Sequence, residues 1–357
     1  MKKFNYKDII KKYLLYKKIA KRENDPEKSL SYSNKANWYR YILEISTARN
    51  KRPEYDDLIA DDLSFLHSFN CYSPYIQLLA QSRITPTKKY EDNNVHFSES
   101  KLAFETRRFY EKVSKKYHSN IFAAMMDNNS YIKVTYSKKG KMFGEVIPSF
   151  EDNSFFINMK LDGTLQDYLT FVHEFGHVNA LTMNKKHFDY AKTCLFEADT
   201  LFMEMVALDD IYDCYRETAD NYTIDSFNEY VYAAKIASAK MSMLCEADVD
   251  DISYKPSIVN FLEKEGYEPE VIKDILYCSL EENFKYGIAY MIAIELYYKY
   301  KNNKEEAIGV LNAIINLKDK SEKEYLDALS DLGIKLGQHL DEYEALVNER
   351  YNHGKGL

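Results

Sequence analysis

The sequence has few of the features that cross-link a chain or anchor it in a membrane. Its 357 residues include five cysteines, and no two of them form a Cys-x-x-Cys pair, so a disulfide framework is not expected and a reduced compartment is predicted. No apolar run is long enough to span a membrane, and the basic N-terminus lacks the apolar segment of a secretory signal. We therefore expect a cytoplasmic protein without stable membrane insertion.

The chain also lacks a net positive charge. The formal net charge is -8, so a nucleic-acid-binding face, which needs clustered basic side chains, is not expected. Hydrophobic residues make up 45% of the chain and include 32 tyrosines. A chain of this length and composition can bury a substantial core, either as one large domain or as two of moderate size.

Two kinds of periodicity divide the chain. In residues 1–125, apolar and aromatic side chains recur at spacings of three and four, which predicts an N-terminal helical lobe. Between Tyr131 and Leu161, β-branched and polar residues alternate and turn residues occupy 137–140, which predicts a small antiparallel β-sheet. Helical periodicity then returns, so residues 126–357 are predicted to form a second, mainly α-helical unit.

A histidine pair follows the predicted sheet. The run His-Glu-Phe-Gly-His occupies residues 173–177, and Thr164 and Asp167 have the spacing of a capping box that would start a helix at about Leu165. The polar residues after Asn184 predict where this helix ends. A glycine inside a helix costs about 1 kcal/mol relative to alanine, so another element is expected to pack closely against this one.

The spacing of this run suits a zinc site. On a helix, His173 and His177 project from one face about one turn apart, where both imidazoles can bind one zinc ion. Glu174 would lie beside the open coordination position and could accept a proton from zinc-bound water. The histidine pair therefore predicts a metal site with a general base next to it.

A third ligand is needed, because zinc in hydrolases commonly has three protein ligands. We favour Glu197, which lies on the following helical run, over the competitor His187, which is too near the end of the motif helix to return easily to the metal face. Glu204 allows two interpretations. It is either a group that accepts a hydrogen bond from a ligand imidazole or a plain surface carboxylate.

These runs resemble a known family. The segment from Phe155 to Ala180 is similar to the catalytic segment of the oligoendopeptidase F and thimet oligopeptidase family of zinc metallopeptidases, in which a strand, an Asn-Gly or Asp-Gly turn and Gly-Thr-Leu-x-Asp precede His-Glu-x-Gly-His. The segment EADTLFME resembles the family's Glu-x-x-Ser-x-x-x-Glu, with Thr200 in place of serine. The family's first glutamate is the third zinc ligand, which corresponds to Glu197. The resemblance extends over residues 130–345.

A second stretch bears on the reaction. The run YGIAYMIAIELYYKY resembles the family's Tyr-x-x-Gly-x-x-x-Ala helix, near which a tyrosine donates a hydrogen bond to the tetrahedral oxyanion. This makes Tyr286 the candidate donor and Tyr290 the reserve. The family's usual histidine before that tyrosine has no counterpart, because no histidine lies between His187 and His339.

The resemblance implies a mainly α, zincin-like (gluzincin) catalytic domain over residues 126–357, with a small antiparallel β-sheet before the motif helix and a short N-terminal helical lobe. It implies one Zn²⁺ per chain and endopeptidase activity on oligopeptides, with Glu174 as general base. An edge strand at residues 156–160 would then pair with an extended peptide. The alternative is a peptide-binding or regulatory protein that keeps the zinc-peptidase fold with little or no turnover.

Overall fold

The structure is a computed structural model of the chain. It describes residues 6–23, 28, 62–63, 65–86, 96–119, 132–137, 144–149, 154–183, 193–246, 255–317 and 321–353. The competing ligand His187 and the predicted turn after Ser137 lie outside the described residues. The described part is mostly helical, as predicted.

The labelled helices and strands follow one another in chain order. The helices are α1 (Tyr6–Ala20), α2 (Ser73–Gln81), α3 (Glu99–Val113), α4 (Leu165–Met183), α5 (Thr193–Ile211), α6 (Arg216–Glu246), α7 (Lys255–Lys264), α8 (Pro269–Tyr277), α9 (Leu280–Asn302), α10 (Lys304–Ile315), α11 (Glu322–Asp331) and α12 (Leu340–His353). The strands are β1 (Ile132–Ser137), β2 (Gly144–Ser149) and β3 (Ser154–Lys160).

The three strands lie where the alternation predicts them, but two expectations about the sheet are wrong. The strand order is β1-β3-β2, and β1 pairs with β3 in parallel while β2 pairs with β3 in an antiparallel manner, so the sheet is mixed. The strand at residues 156–160 is central, because it is paired on both sides, and it cannot add a peptide at an edge. Alternation fixes which face of a strand is buried, but not which strand is its neighbour.

The motif helix α4 begins as its capping residues predict. The Thr164 hydroxyl accepts from the backbone N–H of Asp167 (3.4 Å), and Oδ2 of Asp167 accepts from the backbone N–H groups of Asp162, Gly163 and Thr164. Gly163 has a φ of +87°, a conformation that favours glycine. This network fixes the direction in which α4 leaves the sheet.

The helix pair α4 and α5 lies at the centre of the packing. The helix α9 packs against both α5 and α6, α2 packs against α6 and α9, and α3 packs against α4. One continuous core runs from Phe65 to Val347, so described helices of the N-terminal 125 residues share apolar contacts with the rest. The division at residues 125 and 126 stays a prediction.

A side chain of α2 lies directly against a glycine of α9. A Cβ on Gly287 would lie 2.8 Å from Cδ1 of Ile76, a distance that real Cβ atoms do not reach without displacement.

Within the described parts of the chain, no helix combines the length and apolar character needed to cross a bilayer.

Candidate metal centre

The two histidines of the motif face the same neighbour. On α4, the rings of His173 and His177 lie one turn apart with centroids separated by 4.8 Å and planes at 82°. Nε2 of His173 is 3.4 Å from Oε2 of Glu197, and Nε2 of His177 is 3.6 Å from Oε1 of the same carboxylate. The predicted third ligand on α5 is therefore brought to both imidazoles.

This cluster fits a metal ion by its chemistry as well as its geometry. One ligand atom from each of the three side chains lies within 4.8 Å of the others. Oε2 of Glu197 is buried and accepts no hydrogen bond of normal geometry from the described residues. Two imidazoles and one carboxylate are a set that zinc hydrolases use. His173, His177 and Glu197 can together hold one divalent cation.

The three groups have strongly shifted pKa values. Burial tends to lower the pKa of His173, but hydrogen bonds and charges from Glu197 and Glu204 raise it well above its ordinary value. Burial lowers the pKa of His177 to about 4, and the attraction of Glu197 only partly opposes this effect. Burial also tends to raise the pKa of Glu197, but the two imidazoles hold it below its ordinary range. Burial and neighbouring charges thus act in opposite directions on the pKa of each of the three groups, an arrangement that is common at functional sites.

Glu204 contacts a ligand ring rather than solvent. Its Oε1 lies 2.5 Å from Nδ1 of His173, and its Oε2 accepts a hydrogen bond from the Tyr222 hydroxyl at 2.8 Å. The residue is 9% exposed. Of the two interpretations that the sequence allows, the structure therefore favours a partner of the imidazole. A carboxylate on Nδ1 orients the ring so that Nε2 faces the cluster.

Gly176 explains why α4 and α5 can lie so close together. A Cβ on this residue would be 2.8 Å from Cγ2 and 3.3 Å from Cα of Thr200. The Thr200 hydroxyl donates to the Glu197 carbonyl oxygen at 2.9 Å, so its side chain is tied to the turn that carries the candidate ligand. The predicted close packing against this glycine is confirmed.

The side chain of Glu174 lies where β2 meets α4. Glu174 is 5% exposed, and a Cβ on Gly144 would be 2.6 Å from its Oε1. Gly144 was not identified from the sequence as a functional residue. A glycine at the start of a strand signals a close approach by another group, but it does not indicate which group.

Tyr286 and Tyr290 occupy different environments on α9. Tyr286 is 39% exposed, whereas Tyr290 is 1% exposed and is stacked on Tyr230 with ring centroids 4.2 Å apart. Tyr230 also stacks on Tyr286 at 6.4 Å. Burial and the charges of Glu204 and other carboxylates, Glu197 included, raise the pKa of Tyr230 well above its ordinary value. The ring of Tyr230 thus lies against both candidate tyrosines of α9.

Sequence reasoning missed Tyr222 and Tyr230, both on α6. Their spacing, with Ser226 between them, places all three on one face of a helix. That periodicity was available in the sequence. In a chain with 32 tyrosines it predicts only a buried aromatic stripe, because the carboxylate that Tyr222 contacts lies on another helix.

Comparison of the whole structure with solved structures finds several similar chains, of which three are described. A candidate oligoendopeptidase F from Bacillus anthracis has a TM-score of 0.51 and 14% sequence identity, and the match covers 93% of this chain and 64% of that one. A candidate peptidase from Chlamydophila abortus has a TM-score of 0.54 and 13% identity, with coverage of 97% of this chain and 62% of that one. PZ peptidase A with an inhibitor has a TM-score of 0.54 and 13% identity, with coverage of 82% and 58% in the same order. The chain has the oligoendopeptidase F fold. It spans about three-fifths of the length of these structures.

The sequence alone carries less information. No protein-family model matches the chain, and no curated protein matches its sequence. At 13% or 14% identity the likeness concerns the fold, so the case for an activity depends on the residues of the candidate metal centre.

Proposed function

We propose that the protein is a zinc-dependent endopeptidase of the gluzincin type that hydrolyses oligopeptides. The observation that carries the proposal is the cluster of His173, His177 and Glu197, with Glu174 one residue after the first histidine. The fold shared with peptidases supports it. The cytoplasmic setting expected from the cysteine pattern is a prediction of the same account.

The cluster would hold one Zn²⁺ per chain through Nε2 of each imidazole and the Glu197 carboxylate. In such sites zinc lowers the pKa of a water molecule to about 7 and polarises the carbonyl group of a substrate. Nδ1 of His173 would donate to Glu204, which holds the ring in the tautomer whose Nε2 has a free lone pair.

Glu174 would move the proton. Its carboxylate would accept a proton as water attacks the peptide carbonyl carbon, and the resulting carboxylic acid would donate that proton to the amine that leaves. The side chain is almost fully buried between α4 and the start of β2. The absence of a Cβ at Gly144 leaves room for this carboxylate, since a Cβ there would lie 2.6 Å from Oε1 of Glu174.

Tyr286 would donate a hydrogen bond to the oxyanion that forms on the substrate. Of the two candidate tyrosines, it is the exposed one and can meet a bound peptide, whereas Tyr290 is enclosed behind Tyr230. Tyr290 stays the reserve for this role. Its buried ring is better suited to holding Tyr230, which in turn supports Tyr286.

A peptide substrate would pair with β2, which is at an edge of the described sheet. Pro148 has no backbone N–H, so Pro148 and Phe155 cannot exchange the two backbone hydrogen bonds that join a hydrogen-bonded pair of residues in an antiparallel sheet. We expect Gly144 and Val146, which share the orientation of Pro148 along the strand, to direct their N–H and C=O groups away from β3. These groups would bind the backbone of an extended peptide next to Glu174.

Peptide cleavage by matched variants tests this function. A quenched fluorescent peptide library is incubated with metal-free protein, with zinc-reconstituted protein and with zinc-reconstituted Glu174→Gln, while Glu217→Gln, an exposed glutamate on α6, serves as the control. Cleavage should require zinc, survive in Glu217→Gln and fall by about 10²- to 10⁴-fold in Glu174→Gln, the range of general acid–base catalysis.

Two outcomes separate the peptidase from its alternative. Zinc retained in Glu174→Gln together with the loss of cleavage supports the proposal. If zinc-loaded wild type cleaves no peptide in the library but binds peptides, the peptidase is wrong and a peptide-binding or regulatory protein takes its place.

A further inference from the structure

Glu204 receives two hydrogen bonds from opposite sides. Oε1 faces Nδ1 of His173 on α4 at 2.5 Å, and Oε2 faces the hydroxyl of Tyr222 on α6 at 2.8 Å. Because Glu204 itself is on α5, the carboxylate connects three helices. Its two oxygens are assigned to different partners, so any rotation of the carboxylate disturbs both contacts.

The hydroxyl of Tyr222 can only donate in this arrangement. Burial, followed by the charge and hydrogen bond of Glu204, raises the pKa of Tyr222 well above its ordinary value. The phenol therefore keeps its proton over the pH range in which enzymes work. A buried carboxylate oxygen without such a donor loses the free energy of a charge-assisted hydrogen bond and tends to reorient toward another one.

The residue after Tyr222 ties α6 to a buried arginine. Arg350 on α12 is 7% exposed and donates to the Thr223 hydroxyl on α6 at 2.6 Å and to Oδ1 of Asp209 on α5 at 3.0 Å. This guanidinium therefore joins α5 and α6, the two helices that carry Glu204 and Tyr222. Tyr222 and Glu204 are consequently carried by helices that a buried side chain holds together.

We propose that Tyr222 is a positioning residue for the metal centre, which acts through Glu204 on the orientation of the His173 ring. The proposal rests on the proposed function for its catalytic consequence, but the predicted effect on metal affinity does not require turnover. Tyr222 donates to Oε2, this bond directs Oε1 at Nδ1 of His173, and Nε2 of the ring then faces Glu197. Loss of the hydroxyl frees the carboxylate to rotate and lets the ring follow it.

The test compares Tyr222→Phe with Tyr232→Phe, a control that makes the same change on the same helix. The Tyr232 hydroxyl also donates to a carboxylate, Oδ2 of Asp274 at 2.7 Å, but the contact joins α6 to α8. Competition with a chromophoric chelator measures zinc affinity, and thermal unfolding of the metal-free proteins checks the fold. Tyr222→Phe should weaken zinc binding about 10-fold, as the loss of a partner of a metal ligand does, and Tyr232→Phe should leave it unchanged.

A double-mutant cycle shows whether the effect passes through Glu204. Zinc affinity is measured for Glu204→Ala and for Glu204→Ala with Tyr222→Phe. If Tyr222 acts by way of Glu204, its substitution should have no further effect once the carboxylate is absent. Equal effects of Tyr222→Phe in both backgrounds, or an unchanged zinc affinity in the single variant, would overturn the proposal.

Kinetics give a readout that a purely structural role would not change. In zinc-saturated Tyr222→Phe, kcat should fall while KM stays close to that of wild type. The displaced His173 ring would change how the metal is held, but not the contacts of the peptide with β2. Failure of the proposed function is distinguishable. A wild type that binds zinc without cleaving peptides contradicts the peptidase, while the affinity cycle still decides the role of Tyr222.

Discussion

The proposed active site has two halves that the chain builds in different ways. The motif half consists of α4 and α5, which are consecutive and carry His173, His177 and Glu197. The tyrosine half consists of α6 and α9, which are separated by α7 and α8 and carry Tyr222, Tyr230, Tyr286 and Tyr290. Groups that can hold a metal come from neighbouring stretches of sequence, whereas groups that can position a ligand or a substrate come from distant ones.

This difference separates two kinds of constraint. In the motif half, helix periodicity and one close approach at Gly176 are enough to bring the histidines and Glu197 together. In the tyrosine half, each side chain depends on the packing of several helices around it. Substitutions in the two halves should therefore affect different measured quantities.

Within the tyrosine half, the largest effect is expected from its exposed tyrosine. Tyr286→Phe should reduce kcat by about 10²- to 10³-fold with little change in KM or zinc content, because a donor to the oxyanion acts in the transition state. Tyr290→Phe should change kcat far less, since its ring is enclosed behind Tyr230. Steady-state kinetics on a peptide that wild type cleaves measures both. A greater loss of kcat in Tyr290→Phe would reverse the assignment.

A smaller effect is expected from adding a methyl group where the two helices of the motif half are in close contact. Gly176→Ala should lower the free energy of unfolding by about 1–3 kcal/mol, because the new methyl group would overlap Thr200. Chemical denaturation measures the change. Adding Thr200→Ser removes the methyl group at 2.8 Å and keeps the hydroxyl, so it should restore part of the stability.

Gly309 on α10 supplies the matched control for that substitution. A Cβ there would meet nothing within 4 Å, so Gly309→Ala should stabilise the protein by up to about 1 kcal/mol through helix propensity. If both alanine variants were stabilised, the close approach of α4 to α5 would not limit the motif half.

The smallest effect concerns a buried acid of the motif half. Neither carboxylate oxygen of Asp199 accepts a hydrogen bond from the described residues, and burial raises its pKa from 3.8 to about 8. The folded state therefore keeps a proton that the unfolded state has lost between these two pH values. The free energy of unfolding should fall as the pH rises through this window.

Asp199→Asn removes that loss. In the metal-free protein the variant should be more stable than wild type by about 1 kcal/mol or more at about pH 8, and the advantage should shrink toward about pH 5. Thermal unfolding across the pH range measures it, with Asp213→Asn, whose side chain is 97% exposed, as the control. A pH-independent difference would show that Asp199 does not titrate between these values.

Much of the motif half could be predicted from the sequence. The meeting of Glu197 with the histidines follows from the third ligand that zinc needs and from the resemblance to the peptidase family. The helix from Leu165 to Met183 and its capping residues follow from local signals. Such signals are reliable because a capping box and a helical face involve residues only a few positions apart.

The strand order and the tyrosine half could not be predicted in the same way. The parallel pairing of β1 with β3 depends on which strands meet after a crossover, and alternation says nothing about that. The contact of Tyr222 with Glu204 joins two helices, and Gly144 meets Glu174 across the junction of sheet and helix. Each contact has a partner that only the assembled fold defines.

Zinc titration into metal-free protein tests the central claim most directly. Wild type should bind one zinc ion per chain. Glu270, an exposed glutamate on α8, supplies the control, and Glu270→Gln should bind zinc as tightly as wild type. Glu197→Gln should weaken zinc binding by more than about 100-fold, since losing a ligand costs more affinity than losing the partner of a ligand. Isothermal titration calorimetry at fixed pH gives the stoichiometry and the affinity. A wild type without saturable zinc binding, or one whose affinity Glu197→Gln leaves unchanged, would contradict the metal centre.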